Sequence, residues 1–204
     1  MHINRKVVLS LLIGFLLGAM WLVALRFVTF KDTRVHYHAN FALYINGERD
    51  EFKGSTFYEE TQACSADEVG PKARVHMHDQ IGGTLHIHDN GATWGHLLAN
   101  IGYGLSSKSV QTDKGVYVDG QENNTLTFLL NGKKVSSASN EPINSEDVLL
   151  INYGRDDSGT LQSRYDQIVK NASEYNNKSD PSTCSGSKPI TFAERLKAAI
   201  GIGQ

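Results

Sequence analysis

Val75–Gly91 reads VHMHDQIGGTLHIHDNG, and its reading decides the fold. One pattern is stated twice, ten residues apart: apolar, His, apolar, His, Asp or Thr-led apolar, His, apolar, His, Asp. A period of two is the mark of a β-strand with one buried face. Val75 and Met77 then face the core, and His76 and His78 face away from it. Leu85 and Ile87 repeat the arrangement against His86 and His88. Ile81-Gly82-Gly83 supplies a turn, so Ala73–His88 is expected as a hairpin. A regular hairpin of this kind pairs His78 with His86 and His76 with His88, with Cβ atoms about 4.5–5.5 Å apart.

The preceding chain obeys the same rule. In VHYHANFALYI, Val35–Ile45, the apolar or aromatic residues Val35, Tyr37, Ala39, Phe41, Leu43 and Ile45 alternate with His36, His38 and Asn40. Asn46-Gly47 suits a tight hairpin turn, with a return strand expected over about Glu48–Phe52. After the histidine hairpin, Thr93 is a natural N-cap for a short helix, Trp94–Ile101, closed by Gly102. Thr125–Leu130 and Lys133–Ser136 flank a second Asn-Gly, and Val148–Tyr153 reads as a central apolar strand. These elements define an α+β domain, mainly antiparallel, over residues 35–154. Residues 155–204 read as an appended tail. Within it Leu161–Ala172 is expected to be helical, and Thr191 with Glu194 forms a capping box that starts a last helix, Phe192–Ile200. Asp156-Asp157-Ser158-Gly159 reads as a solvated turn.

The N-terminus departs from this soluble character. After Arg5-Lys6, Val7–Leu25 carries no charge, and 19 helical residues rise about 28 Å, close to the hydrocarbon thickness of a bilayer. The expected order is a stub over 1–6, a single transmembrane anchor over 7–27 and a linker over 28–34. A cleaved secretory signal is the competing reading, but its apolar core normally runs about 7–15 residues, and Leu22-Val23-Ala24 is a poor cleavage site. Arg5 and Lys6 precede the span while Arg26, Lys31 and Arg34 follow it, so charge alone does not orient it. The short N-terminal tail and long polar remainder favour a single-pass protein with its C-terminal domain outside the cytoplasm. The two cysteines, Cys64 and Cys184, lie in polar, loop-like sequence. A disulfide between them suits an oxidising compartment.

A net charge of −2, with no basic block, points away from nucleic acid as a partner. There is no phosphate loop, nucleophile elbow or H-E-x-x-H. What remains is the histidines. If the first strand neighbours the hairpin, His36, His38, His76, His78, His86 and His88 converge on the face away from the core. His96, in the short helix, is a seventh candidate. Packed imidazoles repel when protonated and leave ring nitrogens to satisfy when buried and neutral. A metal ion resolves both problems, and an all-imidazole set suits Zn first and Cu(II) next. Met77 is assigned to the core. Asp79 and Asp89 are candidates to orient a histidine, and equally ordinary turn residues.

HYHANFALYINGE, then VHMHD and LHIHD, then a short helix and an FLLNGK hairpin, resemble uncharacterised membrane-anchored proteins of archaea and small-genome bacteria that carry His-x-His strands beyond an N-terminal anchor. The resemblance implies this topology and the histidine pattern, and no reaction. The preferred expectation is a membrane-anchored, extracytoplasmic transition-metal-binding protein serving capture, buffering or delivery to an envelope protein partner. The alternatives are a zinc metalloenzyme with Asp79 or Asp89 as general base, and an envelope scaffold or pH-responsive interaction domain.

Overall fold

The computed structural model describes residues 4–30, 34–58, 71–78, 80–178 and 191–202, in which both alternating stretches emerge as strands of one sheet. Cys64, Cys184 and Asp79 lie outside the described residues. The chain divides into two units, Met1–Thr33 with Lys188–Gln204, and Arg34–Ser187.

In the first unit, α1 (Arg5–Thr29) is a single helix with no buried residue, N-capped by the Asn4 side chain. It is long and apolar enough to cross a membrane. The same unit holds the C-terminal helix, whose Thr191–Glu194 capping box forms as its sequence requires.

The second unit is α+β. Its main sheet contains β1 (Arg34–Ile45), β2 (Glu48–Arg49), β3 (Val75–His76) and β4 (Thr84–Asp89). Beyond the small sheet described below it adds β8 (Thr125–Leu130), β9 (Lys133–Val135) and β10 (Val148–Gly154). The strand order is β3-β4-β1-β10-β8-β9, with β2 paired to β1. All pairs are antiparallel except β1 with β10. The expected return strand after Asn46-Gly47 stops early. Asp50 Oδ1 accepts from the Phe52 amide at 2.9 Å, and Phe52 turns to φ 48° and drops into the core.

The sheet's two faces follow the parity of the sequence. On one side Ala39, Phe41, Leu43, Val75, Met77, Leu85 and Ile87 are buried in the main core. Two short elements cover them. One is α3 (Trp94–Asn100), which contributes Trp94, Leu97 and Leu98. The other is a three-stranded sheet absent from the sequence reading: β5 (Gly104–Leu105), β6 (Ser109–Thr112) and β7 (Gly115–Val118). A short α2 (Pro71–Arg74) leads into β3, where the sequence suggested that strand had begun.

The opposite face carries a second core of Ala42, Tyr44, Leu129, Val148 and Leu150, covered by Tyr165 and Ile168. These come from the segment read as an appended tail. In place of one helix it forms α4 (Ser158–Asp166) and α5 (Ala172–Asn176), which fold back onto the sheet within the Arg34–Ser187 unit. The acidic turn makes this return possible. Asp157 caps α4 through the Thr160 amide at 2.7 Å. Asp156 pairs with Arg164 at 2.6 Å, both largely shielded from water. Arg164 also donates to Asn152 and lies 4.8 Å over the Tyr44 ring.

Gly83 fixes where β4 begins. Its carbonyl accepts from the Phe41 amide at 2.9 Å. A Cβ at this position would lie 2.7 Å from the Phe41 carbonyl oxygen, and φ is +86°. Gly83→Ala is therefore expected to destabilise the domain by about 1–3 kcal/mol, from the positive φ and the backbone collision together. Urea unfolding of the full chain in detergent measures this, and an unchanged midpoint would contradict the close β1–Gly83 approach.

Candidate functional site

The histidine face is built by three adjacent strands. β4 lies between β3 and β1, and its central residue, His86, stands opposite His76 on one side and His38 on the other. This corrects the expected hairpin register, in which His86 faced His78. The observed pairing is displaced by two residues, which preserves parity and hence the faces. Its cause is a longer connection: β3 leaves the ladder after His76, the His78 carbonyl accepts from the Ile81 amide at 2.9 Å, and Gln80 takes φ 57°.

All six strand histidines come together. Ring centroids lie 4.3 Å apart for His38–His86, 4.2 Å for His78–His86, and 4.4 Å for His76–His78. His36 stacks on His88 at 4.9 Å and sits 4.9 Å from His38. His76 reaches His88 at 5.3 Å. His38, His76, His78 and His86 are buried, whereas His36 and His88 are half-buried and form the rim.

Asparagines from the returning segment close the site. The Asn40 side chain, 1% exposed, donates to Asn171 Oδ1 at 2.8 Å and accepts from the Ala172 amide at 3.0 Å. Thr84 Oγ1 donates to the same Asn171 oxygen at 2.8 Å. This fastens α5 beside the histidines, and Tyr175 packs over His38 and His86 at 5.5 and 6.4 Å. Asn176 Oδ1 accepts from the His38 amide at 2.8 Å and lies 2.9 Å from His38 Nδ1. The Asn176 amide orientation is chemically fixed, because its oxygen faces a backbone N–H while its Nδ2 donates to Ser145 and Glu146. An amide oxygen only accepts, so His38 carries its proton on Nδ1 and presents a lone pair at Nε2. That Nε2 lies 3.1 Å from His86 Nδ1.

The donor geometry suits a cation. One nitrogen from each of His36, His38 and His86 lies within 4.8 Å of the others. His76 and His78 bring their Nε2 atoms to 2.9 Å. Two imidazole nitrogens on one tetrahedral zinc stand about 3.3 Å apart, from Zn–N distances of about 2.0–2.1 Å. The Asn176 bond is of the kind that orients histidines which ligate metal through their other nitrogen. The residue supplying it was not expected from sequence. Asn40 and Thr84 share the parity of the histidines, which is the one signal that marks them. Asn176 carries no such mark.

Two other described candidates, His96 and Asp89, have partners outside the cluster. His96 is exposed, and its Nδ1 accepts from the Thr93 amide at 3.1 Å, closing the capping box of α3. That helix packs on the apolar face, across the sheet from the imidazoles, so the expectation of His96 as a seventh ligand is set aside. Asp89 bonds Arg74 at 2.7 Å and the Gly91 amide at 2.6 Å. Burial alone would raise its carboxyl, but these bonds outweigh it and hold the group below the ordinary carboxylate range. It is a strand-end residue. No family model matches the chain, and neither curated proteins nor solved structures yield a match.

Burial first, then the charges that His78, His38, His76 and His36 would bring, push the His86 imidazole far below its ordinary value. A histidine held neutral in the fold binds its proton more readily once unfolded. Stability is therefore full above the unfolded value of about 6.5 and is lost as pH falls through it. Metal-stripped protein is expected to lose up to about 1.4 kcal/mol per pH unit for this proton between about pH 6.5 and 5. Urea midpoints measured across that window report it, and a flat profile would contradict the burial of His86.

Proposed function

We propose that this chain is a membrane-anchored transition-metal-binding protein whose histidine face takes up Zn or Cu(II) outside the cytoplasm. The carrying observation is the clustering of six imidazoles, five on three neighbouring strands and His78 just past the end of β3, with the buried His86 at the centre. His36, His38 and His86 would hold one cation, with His76, His78 and His88 adjoining. The bound ion would supply the positive charge that neutral imidazoles are built to receive, which supports capture, buffering or delivery to an envelope partner. The apolar helix α1 supports the anchor. The long polar domain after it supports translocation of the domain. The same features support kinship with the His-x-His membrane-anchored proteins that the sequence resembles.

The test is elemental analysis of the full chain, purified in detergent without a metal-affinity step and equilibrated with Zn or Cu(II). At least one ion per chain is expected to survive dialysis. His86→Ala should abolish this retention, and His96→Ala should leave it unchanged. Equal retention by the two variants would overturn the assignment.

Asn176→Ala tests the orientation of His38. It removes the partner of Nδ1 without touching a ligand, and is expected to weaken zinc affinity about 10-fold or more. Competition with a chromophoric chelator measures the change.

A further inference from the structure

The C-terminal helix carries an exposed apolar face. α6 (Phe192–Ile200) places Phe192, Leu196 and Ile200 at intervals of four, on one side, with Glu194 opposite and Lys197 at the edge. It meets α1 through a reciprocal arginine contact. Arg195 donates to the Phe27 carbonyl at 2.7 Å and to the Val28 carbonyl at 3.2 Å, and its guanidinium lies 4.7 Å over the Phe27 ring. Arg26 in turn donates to the Ala198 carbonyl at 3.3 Å. The rings of Phe27 and Phe192 stand 5.2 Å apart.

Helix C-termini leave carbonyls without intrahelical partners, and such groups are costly near hydrocarbon. Here each helix closes the other's end with a guanidinium. The contact falls at Arg26–Val28, immediately after the uncharged Val7–Leu25 stretch. If that stretch spans the bilayer, Arg26 marks its boundary. Yet Phe192 is 71% exposed, Leu196 40%, Ile200 46% and Ile202 61%, beside a helix that itself buries no residue.

We propose that α6 is an interfacial helix, lying in the headgroup–acyl boundary at the C-terminal end of α1 with Phe192, Leu196 and Ile200 in lipid. The bilayer is the occupant because the apolar face adjoins the end of the candidate span. Its opposite face and edge carry the charges that such helices keep in the headgroup layer. The chain then grips the membrane at both ends. The inference rests on α1 crossing the membrane, and is independent of metal binding.

The experiment reconstitutes the full chain in phosphatidylcholine–phosphatidylglycerol vesicles with an apolar photoreactive reagent confined to the acyl layer. Labelled residues are then mapped by mass spectrometry. Label is expected along α1 and at Phe192, Leu196 and Ile200. The double variant Leu196→Glu, Ile200→Glu should lose about tenfold or more of the α6 label, since burying each side chain is worth at least that factor, with α1 labelling unchanged. Labelled α1 with α6 no more labelled than β8 overturns the inference and leaves the anchor standing. Unlabelled α1 overturns both. Crosslinking of α6 to α6 of a second copy, without lipid label, assigns the face to a dimer and also overturns it.

Discussion

The registry of β4 between β1 and β3 is the constraint on which the rest of this domain depends. It places His38 and His76 on either side of His86. Four imidazoles are thereby withdrawn from water. Neutral imidazole is tolerated in such a place only with partners for its ring nitrogens. The cluster pairs His38 with His86 and His76 with His78, and α5 supplies a partner to His38. The cluster also disfavours its own protonation, because the first charge would sit in a low-dielectric site beside further imidazoles. The fold thus keeps the His86 imidazole neutral, its lone pair available.

The returning segment turns this face from a surface into an interior. Three asparagines do the fastening, and Asn40 and Asn176 each use both ends of the amide. Asn40 holds Asn171 and the Ala172 amide. Asn171 also receives Thr84. Asn176 joins His38 to Ser145 and Glu146. The same contact that docks α5 also fixes the tautomer of His38, so packing and the lone pair at Nε2 share one hydrogen-bond network. Further along the sheet, Tyr165 and Ile168 cover the apolar part of the same face, with Arg164 pinned between Asp156 and Tyr44.

Where a feature is written in local pattern, the sequence discloses it. The alternation of Val35–Ile45 and Leu85–His88, the Asn131-Gly132 turn, the Thr93 cap and the Thr191–Glu194 box all match the structure within a residue or two. The faces of all six strand histidines were legible for the same reason, and Met77 lies in the core as its parity requires. Register was not legible. A displacement by two leaves every side chain on its face, so parity cannot distinguish His76 opposite His86 from His76 opposite His88. Nor could it disclose β5–β7, whose strands run from two to four residues. The return of α4 and α5 rests on Asp156, Arg164 and the asparagines finding distant partners, which no spacing reveals. His96 misled because a helical histidine three residues after a threonine can serve a cap as well as a metal.

The distribution of burial within the cluster bears on what it can do. Its rim, His36 and His88, is half-buried, while His38, His76, His78 and His86 lie beneath it. On the proposed reading a cation arriving from solvent meets the rim first and finds more imidazoles below, so ligands can be exchanged one at a time. Such a stepwise arrangement serves uptake and release. Hydrolytic catalysis asks instead for an open coordination position and a nearby base. Asp89, the described carboxylate that sequence offered for that task, is occupied by Arg74 and the Gly91 amide. Backbone pairing also sets the spacing of His38, His76 and His86. Side chains borne on paired strands are held more rigidly than side chains on loops, and the asparagine-fastened α5 covers His38 and His86.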